Sequence, residues 1–208
     1  MKKIFFFIII ALSFVACTSE GGRKHDNPNT QNTDKQHSHF ESKQNKLAVN
    51  VYIENSGSMA GYVNGYTDFK DAVGNYLTDI QISGISNSLN LFFINKRADR
   101  INTDINTYLT RLTTSCNAST SDIAKIFKLV LTNTTGNQIS IFVTDGIFSP
   151  EKRKNAVDYL KEQQKDIKED MANYLKTYPN TTVTVYHLSS RFNGIYYNCT
   201  TSKKWTLK

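Results

Sequence analysis

The segment VYIENSGSMAGY, residues 51–62, decides how the chain is read. Its first half is β-branched and aromatic, the composition of a buried strand. It then stops on Glu54, Ser56 and Ser58, with Asn55 and Gly57 between them. An oxygen-rich strand end of this kind suits metal ligation, a serine nucleophile or a plain polar turn. The surrounding sequence has to discriminate among the three.

Downstream, strand-like and helix-like segments alternate. LAVNVYIE (47–54) is the first strand. TDFKDAVGNYLTDI (67–80) sets Phe69, Ala72, Val73, Tyr76, Leu77 and Ile80 on one helical face behind Thr67, a suitable N-cap. SLNLFFIN (88–95) reads as a second strand, and Ile101, Ile105, Tyr108, Leu109 and Leu112 form the stripe of a shorter helix. STSDIAKIFKLVL (119–131) predicts a third helix. QISIFVTDG (138–146) is a strand that stays apolar until Asp145-Gly146.

Ser149-Pro150 then opens a long helix, since proline at the first helical position loses no hydrogen bond. Val157, Leu160, Gln164, Ile167, Met171, Tyr174 and Leu175 form its inward stripe. TTVTVYHLSS (181–190) is another strand and GIYYNCT a short last one. KKWTLK reads as the start of a further strand, so the C-terminus reads as truncated. The pattern predicts an α/β fold with a mostly parallel central sheet and helices on both faces. Ligands in such sheets bind at the carboxyl ends of strands, and Glu54 and Asp145 both close strands on that edge.

The chain divides into three by composition. Residues 1–17, MKKIFFFIIIALSFVAC, have a basic start and a mostly apolar run too short for the roughly 20 residues of a spanning helix. That is the plan of a signal peptide. Residues 18–46 hold almost no aliphatic side chains and are expected to form a disordered tether with a reach of roughly 30 Å. His25, His37 and His39 fall there, without a scaffold to fix them around a metal. Residues 47–208 form the domain.

The formal charge is +7, but the basic residues are scattered and many share a helix with acidic ones. A solvated surface is expected, and no nucleic acid partner. Cys116 and Cys199 are the two cysteines beyond Cys17, and nothing in their spacing decides whether they pair.

Two resemblances follow. Phe14-Val15-Ala16-Cys17 resembles the lipobox of bacterial lipoproteins, with Phe14 where leucine is usual. The resemblance implies acylation of Cys17, a membrane lipid anchor and a place in the bacterial cell envelope. Plain secretory cleavage is the alternative. Glu54-x-Ser56-x-Ser58 after the first strand, Ser121 at a helix start and Thr144-Asp145-Gly146 at a later strand end resemble the von Willebrand factor type A domain and its metal-ion-dependent adhesion site.

That resemblance covers about residues 47–190. It implies a metal site made by Glu54, Ser56, Ser58, Ser121 and Asp145, and a non-catalytic role in binding another protein. A partner's acidic side chain would complete the metal shell. Glu54 stands where the family has aspartate, and Ser121 where it has threonine.

The chemistry is independently sensible. Hydroxyls and carboxylates suit Mg²⁺, with Mn²⁺ or Ca²⁺ as alternatives. The loop AGYVNGYT places Tyr62 and Tyr66 on the same rim, to meet a partner or to pack over the loop's base. Two alternatives stay open. One is a serine hydrolase using Ser58, Asp145 and His187, in the chain order of an α/β-hydrolase triad. The other is a metal-free structural domain of the same fold.

Overall fold

The structure, a computed structural model, describes residues 9–14, 47–149, 155–198 and 203–207. Cys17, the expected tether at 18–46, Pro150 and Cys199 lie outside the described residues. Two strands come first, β1 (Ile9–Phe14) and β2 (Ala48–Glu54). A 3-10 turn (Gly57–Met59) leads into the short helix α1 (Ala60–Val63), and α2 (Asp68–Ile82) follows. Next come β3 (Leu89–Ile94), β4 (Ala98–Ile101), α3 (Ile105–Ser115), α4 (Ile123–Asn133) and β5 (Gln138–Val143). The chain continues through α5 (Ala156–Thr177), β6 (Thr181–Tyr186), β7 (Gly194–Asn198) and β8 (Lys203–Leu207).

Six strands make one sheet in the order β4-β3-β2-β5-β1-β6. β2 pairs parallel with both β3 and β5. β4 runs antiparallel to β3, and β1 runs antiparallel to both β5 and β6. Four strands, β3, β2, β5 and β6, therefore share one direction.

β2 is apolar on both sides because both are covered. Val49, Val51 and Ile53 pack with Phe69, Val73, Leu77, Tyr108 and Leu112 on the face of α2 and α3. Tyr52 packs with Ile126, Phe127, Val130, Phe142 and Tyr174 on the face of α4 and α5. The expected α/β class, a mostly parallel sheet between two helical layers, is the class observed.

Several elements differ from the sequence reading. Ile101 ends β4 instead of joining a helical stripe, because Asp104 caps α3 by accepting the Thr107 N–H at 2.9 Å. The second half of the expected α5 stripe, Ile167, Met171 and Tyr174, packs inward, but the first half is rotated. Gln163 is buried and Gln164 exposed, while Val157 and Leu160 face solvent. Gln163 Oε1 accepts the Ala124 N–H at 2.9 Å, satisfying one of the donors that the first turn of α4 leaves unpaired.

Among the described residues β7 and β8 pair only with each other, as a hairpin separate from the main sheet. Part of the expected signal segment, Ile9–Phe14, is a strand between β5 and β6. β6 lies at the sheet's edge, with Val185 61 % exposed.

Candidate functional site

Parallel pairing assembles the site. Ile53 in β2 is level with Val143 in β5, so Glu54 and Thr144 stand side by side where the two strands end. The chain after β2 turns at once, with the Met59 N–H donating to Ser56 O at 3.1 Å. The Gly57 N–H donates to Ala118 O at 2.8 Å, which ties the serine loop to the segment joining α3 and α4. Ser121 and Ser149 exchange two backbone hydrogen bonds, each 2.9 Å. Three loops, after β2, before α4 and after β5, thus meet at the carboxyl edge of the sheet, where open α/β sheets bind ligands.

Glu54 is fully buried there. Its Oε1 accepts from Ser121 Oγ at 2.6 Å, and its Oε2 accepts from the hydroxyl of Thr144. Burial pushes the Glu54 carboxyl above its ordinary value, and the hydroxyls of Ser121, Thr144 and Ser56 pull it back. Asp145 is buried beside it. Its Oδ1 accepts the Ile147 N–H at 2.9 Å, whereas its Oδ2, shielded from solvent, makes no hydrogen bond among the described residues.

The Asp145 carboxyl is pushed up to about 7, first by burial and then by the charge of Glu54. The Ile147 N–H and the Ser58 hydroxyl act in the opposite direction. Ser58 lies near enough to favour the carboxylate without meeting Oδ2 in a formed hydrogen bond. Ser56 Oγ and Ser58 Oγ are 3.0 Å apart and hydrogen-bonded.

Glu54, Ser56, Ser58, Ser121 and Asp145 are therefore all brought to one place. Their division of labour is not the expected one for Glu54. The longer side chain carries its carboxylate to two hydroxyl donors, and both its oxygens are engaged. Thr144 is the partner that sequence reasoning left out of the site. Its signal was available, because it is level with Glu54 once the two strands pair in parallel.

Tyr62 needs correction as a rim residue. It is fully buried, with its ring 5.0 Å from Phe192 and 6.5 Å from Phe69, so it cannot meet a partner. Short helix α1 turns it inward, where it feels the charge of Asp145. Tyr66, the other expected rim residue, is 98 % exposed. His187, expected inside an apolar strand, is exposed just beyond the end of β6. Cys116 is a free, buried thiol at the end of α3.

The donor set can be tested against a cation. Among the described residues no three His, Cys, Asp or Glu side chains cluster, so hydroxyls must supply part of any shell. Hard, small cations accept such oxygen sets. The buried, unpartnered Oδ2 of Asp145 is the feature that fits one. Ser56, Ser58 and Asp145 are the residues that would hold it. Glu54 would orient Ser121 and Thr144 and contribute its charge. No protein-family model matches this chain, no curated protein matches it, and no solved structure matches it.

Proposed function

We propose that this chain is a lipid-anchored protein of the bacterial cell envelope whose domain, similar in plan to von Willebrand factor type A, binds another protein without catalysis. Binding depends on Mg²⁺, or on Mn²⁺ or Ca²⁺, held by Ser56, Ser58 and Asp145, and a carboxylate of the partner completes the shell. The observation that carries this reading is Asp145 Oδ2, a carboxylate oxygen shielded from water and, among the described residues, left without a hydrogen bond at the carboxyl ends of the parallel strands β2 and β5. A buried carboxylate left so is costly unless a cation or a proton joins it.

Exposed Tyr66 supports a protein partner, since amphipathic rings are enriched in interfaces. The lipobox-like FVAC at 14–17 supports the anchor. No helix among the described residues is long and apolar enough to cross a membrane, and an acylated Cys17 requires none.

Calorimetric titration of Mg²⁺, Mn²⁺ and Ca²⁺ into the protein and into Ser58→Ala and Asp145→Ala tests the reading. Saturable binding lost in both folded variants is the expected result. A folded protein that binds none of the three would favour the metal-free structural domain. One observation already leans that way: both Glu54 oxygens are satisfied by protein hydroxyls.

A further inference from the structure

β6 depends on β1. Among the described residues, β1 is the only strand that pairs with β6 in the main sheet. All six residues of β1 are in register with β6, from Ile9 opposite Tyr186 to Phe14 opposite Thr181. On its other edge β1 sets Ile10, Ala11 and Leu12 opposite Phe142, Ile141 and Ser140 of β5. Yet Ile9–Phe14 lies inside the segment that lipoprotein processing at Cys17 would remove. Its departure would strip a hydrogen-bonding neighbour from both strands at once, leaving two facing rows of unpaired N–H and C=O groups.

Both ends of β6 are fastened by contacts that do not involve β1. At its start, Thr181 Oγ1 donates to Tyr178 O at 2.7 Å, and the rings of Tyr178 and Tyr174 lie 4.8 Å apart. Beyond its end, Leu188 packs against the core, and Ser190 Oγ accepts the Phe69 N–H at 3.1 Å. Arg191 pairs with Asp68 at 3.1 Å, and the Asn193 N–H donates to Gly61 O at 2.7 Å. With β1 gone, these contacts would keep β6 two strand spacings from β5 and leave a slot one strand wide.

Resting on the lipoprotein reading above, we propose that the slot between β5 and β6 is a strand-acceptor site. The chain's own Ile9–Phe14 fills it before processing. Afterwards it takes an extended, apolar segment of a partner protein that runs antiparallel to both walls. Main-chain hydrogen bonds to two edges supply affinity, as in other strand-addition complexes. The precursor is thereby blocked, and processing opens the site.

The test uses a fluorescent peptide carrying residues 9–14 between lysines, followed by anisotropy. It is added to the processed lipoprotein in detergent and to the unprocessed Cys17→Ala chain. Saturable binding to the processed protein, at least ten-fold weaker for Cys17→Ala and lost in an Ala11→Pro peptide, is expected. A processed, folded protein that ignores the peptide overturns the proposal, as does hydrogen exchange showing β6 paired directly with β5.

The intact mass separates the two readings. If the chain retains residues 1–17, the lipoprotein reading fails by itself. The slot is then tested in the full chain with Ala11→Pro or Ser13→Pro, either of which unseats β1. Peptide binding to these variants but not to the parent upholds the acceptor site, and binding to neither overturns it.

Discussion

Glu54 and Asp145 close two neighbouring strands at the same edge of the sheet, both shielded from water, and the charge of Glu54 raises the affinity of Asp145 for a proton. Two carboxylates so placed are unlike a surface acidic pair, because solvent does little to screen them. The site must take up positive charge to relax. A proton and a divalent cation are the two candidates.

The first prediction follows from the proton. In a chelator, Asp145 titrates near 3.8 when unfolded and near 7 when folded. Between those values the native state holds more protons than the unfolded state, so stability falls as the pH rises. The loss begins near pH 4 and is complete above about pH 8. Urea midpoints in chelator should therefore decline across this range in the parent, and Asp145→Asn should flatten the decline. An equal slope in the variant would remove Asp145 as its source.

The second concerns the length of Glu54. Glu54→Asp retracts the carboxylate by one carbon–carbon bond, about 1.5 Å. It can then no longer satisfy both Ser121 and Thr144, which meet it on opposite oxygens. Loss of one hydrogen bond to a charged group should cost about 1.5–3 kcal/mol in chelator. The one hydroxyl so freed, of Ser121 or Thr144, becomes an additional oxygen for the cation held by Ser56, Ser58 and Asp145, so Mg²⁺ binding should tighten. Glu54→Gln keeps the length and removes the buried charge, so it should lower stability less. Urea midpoints and calorimetric Mg²⁺ titrations of both variants read the two effects separately.

A third prediction uses Cys116. Burial, then the charges of Glu54 and Asp145, push its thiol up to about 12. At pH 8 the reactive thiolate is scarce, and the side chain is shielded as well. Iodoacetamide should leave Cys116 unmodified in native buffer and label it fully in urea, as followed by peptide mass mapping. Equal labelling rates in both conditions would contradict the burial.

Much of this arrangement was legible in the sequence, for identifiable reasons. Short β-branched and aromatic runs such as VNVYI and SIFV fit strands buried on both faces, and parallel pairing of those strands brings Glu54 and Asp145 to one edge. What escaped depended on contacts distant in sequence. Nothing local says that Gln163, and not Gln164, turns inward, because the reason lies in the first turn of α4. Tyr62 looked like a rim residue because its loop is polar, and the ring of Phe192, 130 residues later, is what covers it. The apolar run at 9–14 fits a signal peptide and a central strand equally well, since short apolar runs carry no period that separates them.

The last prediction tests how the C-terminal segment holds the serine loop's helix. Gly61 lies in α1, two residues after the turn that carries Ser58, and Phe192 crosses it directly. A Cβ at Gly61 would come within 2.2 Å of the Phe192 ring, and one at Gly194 within 2.6 Å of Gly61 Cα. The Asn193 N–H, bonded to Gly61 O, leaves the backbone little freedom to withdraw. Gly61→Ala must therefore displace Phe192 from the ring of Tyr62, an overpacking that costs about 1–3 kcal/mol. Phe192→Leu alone should destabilise through lost packing. The double variant should cost less than the sum of the two, because the smaller side chain makes room for the methyl. Urea unfolding of the four proteins measures the coupling, and strict additivity would mean that Phe192 does not press on Gly61.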